Sequence, residues 1–89
     1  MTGPLDEIRA QITANDCAIV SAVNERLRLV AALWELKREI GADQLDPGRE
    51  RALRDELAAL NAGPLSGEGL DRLVSELLAL TKAELGARS

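Results

Sequence analysis

RLRLVAALWELKREIGADQLDPGRE, residues 26–50, decides how the chain folds. Its first part carries apolar side chains at three- and four-residue intervals with no Pro or Gly, which predicts helix. Gly41 ends that helix, and Asp46-Pro47 opens another, with Asp as N-cap and Pro at the first helical position. Arg26 and Lys37 lie eleven residues apart. At about 100° per residue they share a helix face to within roughly 20°, about 16 Å apart along the axis. Two long cationic arms can therefore lean toward a common point. Arg49 and Glu50 follow in the first turn of the second helix, after a connection short enough to fold back toward Lys37.

Working outward, Gly3-Pro4 with Asp6 and Glu7 reads as a helix entrance, Pro in the first turn and acids near the positive end of the dipole. With no breaker before Gly41, the first helix is predicted over residues 4–40. Arg9, Ile12, Asp16, Ile19, Val23, Arg26, Val30, Leu33, Lys37 and Ile40 form a heptad-like seam along it. Trp34 falls off this seam and is expected to pack against another helix. Such a helix extends roughly 54 Å, whereas a compact chain of this size has a radius of gyration near 12 Å. Its seam needs a second chain, and an intertwined homodimer is the simplest closed solution. Downstream, Leu53, Leu57 and Leu60 supply a second stripe before Asn61-Ala62-Gly63-Pro64 ends it. Ser66 caps a third helix with the stripe Leu70, Leu73, Val74, Leu77, Leu78, Thr81 and Leu85, and Gly86 stops it. The expected fold is all-α, with three helices per chain, long, short and medium, in one domain over residues 1–89.

Composition narrows the function. The 89 residues are 46% hydrophobic with one Trp and no Phe or Tyr, so the core is aliphatic. A net charge of −4 argues against general nucleic-acid binding, which needs a basic face to displace counterions. With one Cys and no His, a Cys/His zinc site and a His-based triad are excluded. Cys17 is expected as a small packing residue. No segment resembles a signal peptide or a membrane span, so a soluble cytoplasmic protein with no membrane partner is expected. Arg28, Arg38, Arg51, Arg54, Arg72 and Lys82 alternate with acids and read as a solvated exterior.

Cations on an apolar seam are the anomaly, because an unpaired buried charge costs several kcal/mol. Two arrangements satisfy Arg9, Arg26 and Lys37. Either acids such as Asp16 and Glu50 pair with them, or helical drift carries some to the surface, and no site results; or they converge on a pocket for a small polyanion. Arg9 precedes Arg26 by seventeen residues, roughly 25 Å along the rod. It reaches a shared pocket only from a second subunit, as an antiparallel pairing of long helices allows. Asp46 reads as a cap or as a ligand contact. Thr81 either back-bonds to its own helix or faces a ligand.

The ordered set L-x-x-I-R-x-x-I-x-x-x-D from Leu5 to Asp16, N-E-R at 24–26, L-K at 36–37 and D-P-x-R-E at 46–50 resembles the all-helical (type II) chorismate mutase family. The resemblance runs from Leu5 to Leu85. It implies an intertwined dimer with two equivalent sites and no cofactor or metal. By position it implies that Arg9 comes from the partner chain to bind a substrate carboxylate, that Arg26 holds the other carboxylate region, and that Lys37 reaches a carboxylate and the ether oxygen. Glu50, with the backbone near Asp46, would hold the ring hydroxyl, Arg49 would support the carboxylate network, and Thr81 would contact the ligand. The implied reaction is the Claisen rearrangement of chorismate to prephenate in aromatic amino acid biosynthesis, which needs orientation and waiting positive charge but no nucleophile, metal or proton transfer. One position departs from the pattern. Leu85 stands where the family carries Gln or Glu as a second donor to the ether oxygen, and loss of such a donor costs about 3 to 4 kcal/mol of barrier. Either neighbouring Glu84 substitutes through a helix shift or catalysis is weak. The same resemblance leaves two alternatives: a mutase or pyruvate lyase acting on aminodeoxychorismate or isochorismate, and a weakly active regulatory subunit that needs the first enzyme of the shikimate pathway as partner.

Overall fold

A computed structural model of the chain describes residues 3–42 and 47–86. They form three α-helices: α1 over Pro4–Ile40, α2 over Pro47–Leu60 and α3 over Gly67–Gly86, with no strand among the described residues. The fold is all-α, as the periodicity predicts.

Local chemistry accounts for the helix ends. Gly3 is extended and Pro4 takes the first helical position of α1, with Asp6 and Glu7 in the first turn facing the positive end of the dipole. At the other end Gly41 adopts φ 72°. The Gly41 N–H donates to Arg38 O at 3.3 Å and the Ala42 N–H to Lys37 O at 2.8 Å. This pair of bonds is the Schellman arrangement, which satisfies carbonyls that a helix end otherwise leaves unpaired. The Asp46 cap expected for α2 lies outside the described residues. Between α2 and α3, Asn61 closes the turn: its Oδ1 accepts from Gly63 N at 3.1 Å and its Nδ2 donates to Leu65 O at 2.9 Å. Ser66 caps α3 as expected, its Oγ accepting from Gly69 N at 3.0 Å.

α3 is the helix that packs against both others, and α1 and α2 make no direct packing contact among the described residues. Every buried residue in the described structure belongs to it: Leu70, Val74, Thr81 and Leu85. They recur at four- and seven-residue spacing, one face of a helix. Arg54, expected on the solvated exterior, is instead part of the α2–α3 contact. Its guanidinium donates to Ser75 Oγ at 3.1 Å and lies 3.7 Å from the Asp71 carboxylate. The exterior reading holds for Arg28, which pairs with Glu25 at 3.1 Å. Arg38, Arg51 and Arg72 are exposed and form no ion pair among the described residues.

No residue of α1 is buried. Val23, Arg26, Leu27, Val30, Ala31, Trp34 and Lys37 are half-buried, and together they form the α1 face turned to α3. The heptad-like seam therefore needs a correction: Trp34 belongs to this face, whereas Ile40 is 70% exposed. A seven-residue repeat drifts about 20° per heptad against a straight helix, so the seam slides off the packed face before α1 ends. Towards its start α1 extends past α3, which at 20 residues is only about 30 Å long. Leu5, Ile8, Ile12, Ile19 and Val20 are all more than half exposed there. Cys17 is exposed too, a correction to its expected packing role that follows from the same geometry. The resulting shape is long, 59 × 27 × 17 Å with a radius of gyration of 16.8 Å. No helix of the described residues is long and apolar enough to cross a membrane.

The left-handed backbone at Gly41 yields a stability prediction. A Cβ built there meets no atom within 4 Å, so Gly41→Ala should cost only the conformational penalty, about 1–2 kcal/mol. Urea unfolding of the variant should show a lower midpoint with an unchanged slope.

Candidate functional site

The α1 face that carries Arg26, Val30, Trp34 and Lys37, the inner side of α3 and the first turn of α2 enclose an open cleft of about 140 Å³. α3 contributes Leu78, Thr81 and Lys82, and α2 contributes Arg49 and Glu50. Leu33 completes the wall. The walls are aliphatic or aromatic, and the polar groups are almost all charged. Four cations and one carboxylate line the cleft of a chain whose net charge is −4. Positive charge is concentrated here against the sign of the whole molecule, and apolar walls strengthen its field by keeping the local dielectric low.

One interaction ties the site to the core. Arg26 Nη1 donates to Thr81 Oγ1 at 2.6 Å, and the Thr81 hydroxyl donates to Leu77 O at 2.7 Å. The back-bond to its own helix, one of the two readings of Thr81, is present. It orients the hydroxyl so that an oxygen lone pair meets the guanidinium. Thr81 is 6% exposed, which makes the bond a fixed anchor for Arg26. A guanidinium has five N–H donors, so one anchored donor leaves others for a ligand.

The internal pairing that would have made the seam cations merely structural is not found: neither Arg26 nor Lys37 forms an ion pair among the described residues. The structure thus brings together Arg26, Lys37, Arg49, Glu50 and Thr81 from three helices. It does not bring Arg9 to them. Arg9 is exposed, seventeen residues before Arg26 on the same rod. Leu85 follows Thr81 by one turn but is 8% exposed and outside the cleft lining. Glu84 is exposed, and α3 stays α-helical through Gly86, so the helix shift that would bring Glu84 into the site is absent. Asp46 lies outside the described residues.

Lys82, assigned from the sequence to the solvated exterior, is exposed as expected and also lines the open cleft. A signal for it was present. The positions three and four residues away are Leu78, Ala79, Leu85 and Gly86, so its own helix has no acid to pair with it. Trp34 and Leu78 were read only as packing residues, and they also form cleft wall.

This arrangement can hold a small, compact polyanion against apolar walls. No cluster of three or more potential metal-ligating side chains occurs among the described residues. No curated protein matches the chain significantly. The family model for chorismate mutase type II matches residues 8–84, an interval that contains all three helices' cleft residues and Arg9. With an all-helical fold and that match over most of its length, the chain belongs to the chorismate mutase type II family.

Proposed function

We propose that this protein catalyses the Claisen rearrangement of chorismate to prephenate as an intertwined homodimer. The observation that carries the reading is the convergence of Arg26, Lys37, Arg49, Glu50 and Thr81 on one cleft, with Arg26 and Lys37 unpaired by any described carboxylate. The rearrangement breaks the ether C–O bond while a C–C bond forms across the same six-atom array. No atom enters or leaves, and no proton moves. Catalysis then reduces to two tasks, folding the enolpyruvyl arm over the ring and stabilising the electron density that gathers on the ether oxygen.

Arg26, held by Thr81, grips one substrate carboxylate in fixed geometry. Lys37 places its ammonium at the ether oxygen, where attraction grows as the bond lengthens, so that it favours the transition state over the ground state. Arg49 reinforces the carboxylate network. Glu50, together with the backbone near Asp46, accepts the ring hydroxyl. Arg9 of a second copy supplies the remaining carboxylate contact. Support for the second copy comes from the bare first half of α1, whose exposed Ile8, Ile12, Ile19 and Val20 make an apolar surface longer than a stable monomer ordinarily leaves to water. Leu85, buried and apolar, leaves Lys37 as the cation on the ether oxygen and supports a slow member of the family. A partner-dependent enzyme is then the second reading. Turnover measured before and after adding the first enzyme of the shikimate pathway separates the two.

Purified protein should deplete the ultraviolet absorbance of chorismate and yield prephenate; salicylate and pyruvate from isochorismate, without prephenate from chorismate, would replace the mutase by a lyase. Lys37→Ala should lower kcat by about 10²–10³ with helicity intact, and a nearly unchanged rate removes Lys37 from the mechanism. Thr81→Val keeps the shape of the side chain but strips Arg26 of its anchor, so kcat/KM should fall by about tenfold, the scale of a lost hydrogen bond to a charged group. Sedimentation equilibrium should give twice the 9.5 kDa of one chain. Ile12→Glu should shift that equilibrium to monomer and lower activity in parallel, since each site loses its Arg9.

A further inference from the structure

The geometry points to Lys82 as a substrate-binding residue of this cleft, a cation that contacts a carboxylate of the bound dianion from the α3 side. The inference rests on the mutase reading and adds to it a residue whose sequence surroundings had placed it on the exterior. Lys82 follows Thr81 directly and sits one helical turn beyond Leu78, and all three line the cleft. It forms no ion pair among the described residues, and its own helix offers no acid at pairing distance.

Charge balance in the cleft supplies the reason for it to matter. Arg26, Lys37 and Lys82 line the cleft with one carboxylate, Glu50, and none of the three forms an ion pair among the described residues, so positive charge is in excess there. Lys37 on α1 and Lys82 on α3 line the same cleft, so a dicarboxylate bound there is attracted from both helices. Leu85 is buried and apolar one turn after Thr81, which leaves Lys82 as the donor that the last two turns of α3 present to the cleft. A flexible ammonium on a four-carbon stem follows its carboxylate equally well before and during the rearrangement. It therefore contributes uniform binding, which lowers KM without raising kcat.

The test is Lys82→Ala, Lys82→Arg and Lys82→Glu, measured by chorismate kinetics and by calorimetric titration with prephenate, the stable dicarboxylate product. Lys82→Ala should raise KM and the prephenate Kd by about tenfold while kcat changes less than about threefold. Lys82→Arg should restore both constants to within about threefold of the parent, because it keeps the charge, and Lys82→Glu should weaken binding further than Ala. The thermal midpoint of Lys82→Ala should stay within about 2–3 °C of the parent, as for a surface substitution. A KM and Kd within twofold of the parent overturn the assignment, and so does a fall in kcat at unchanged KM, which would put Lys82 on the reacting bond. A parent protein that neither rearranges chorismate nor binds prephenate removes the mutase reading itself. An active parent matched by Lys82→Ala removes Lys82 alone.

Discussion

The hydrogen bond from Arg26 to Thr81 joins residues 55 apart in sequence, and much of the molecule depends on it. α1 has no buried residue of its own, so its position is set by the one face it turns to α3. On that face Arg26 meets a threonine whose hydroxyl is already committed to Leu77 O. A hydroxyl with its proton committed can only accept, and a guanidinium can only donate. Their meeting is thus chemically one-way, and it fixes both the rotation of α1 about its axis and the direction of the arginine. The core and the cleft share this contact, so packing and recognition are not separable here.

Much of the architecture was legible before any coordinates. Pro and Gly punctuate the chain only where helices begin or end, and the helix boundaries at Pro4, Gly41 and Ser66 follow from them and from the Ser cap. What periodicity could not supply was the rotation of each face. Ile40 and Trp34 exchange places between seam and flank because a seven-residue repeat and a straight helix lose register over three turns. The overhang of α1 was legible from its length, but Cys17 looked like a packing position because sequence does not show which stretch of α1 another helix of the same chain covers.

The cleft was legible in a different way. Arg26 and Lys37 were visible as charges in an apolar pattern, an arrangement that has to be explained by an anion. Lys82 was harder to see, since the lack of an acid three or four residues away was its one hint, and only the fold shows which side of α3 it occupies. Arg54 was hidden for the same reason: its partners Asp71 and Ser75 lie on another helix, beyond the reach of spacing rules. The proposed chemistry fits a chain without histidine. A sigmatropic shift of electrons asks for fixed positive charge and a restricted shape, and a helical scaffold with few polar groups in its walls provides both.

The wall also contains the only tryptophan in a protein without tyrosine or phenylalanine. Near-ultraviolet emission from the folded chain therefore originates at a single indole, Trp34, half-buried beside Lys37. Displacement of water from that indole by an incoming molecule alters the colour and intensity of the whole protein's emission, with no background from elsewhere. The cleft thus carries its own optical gauge of occupancy, built into the same helix face that shapes it.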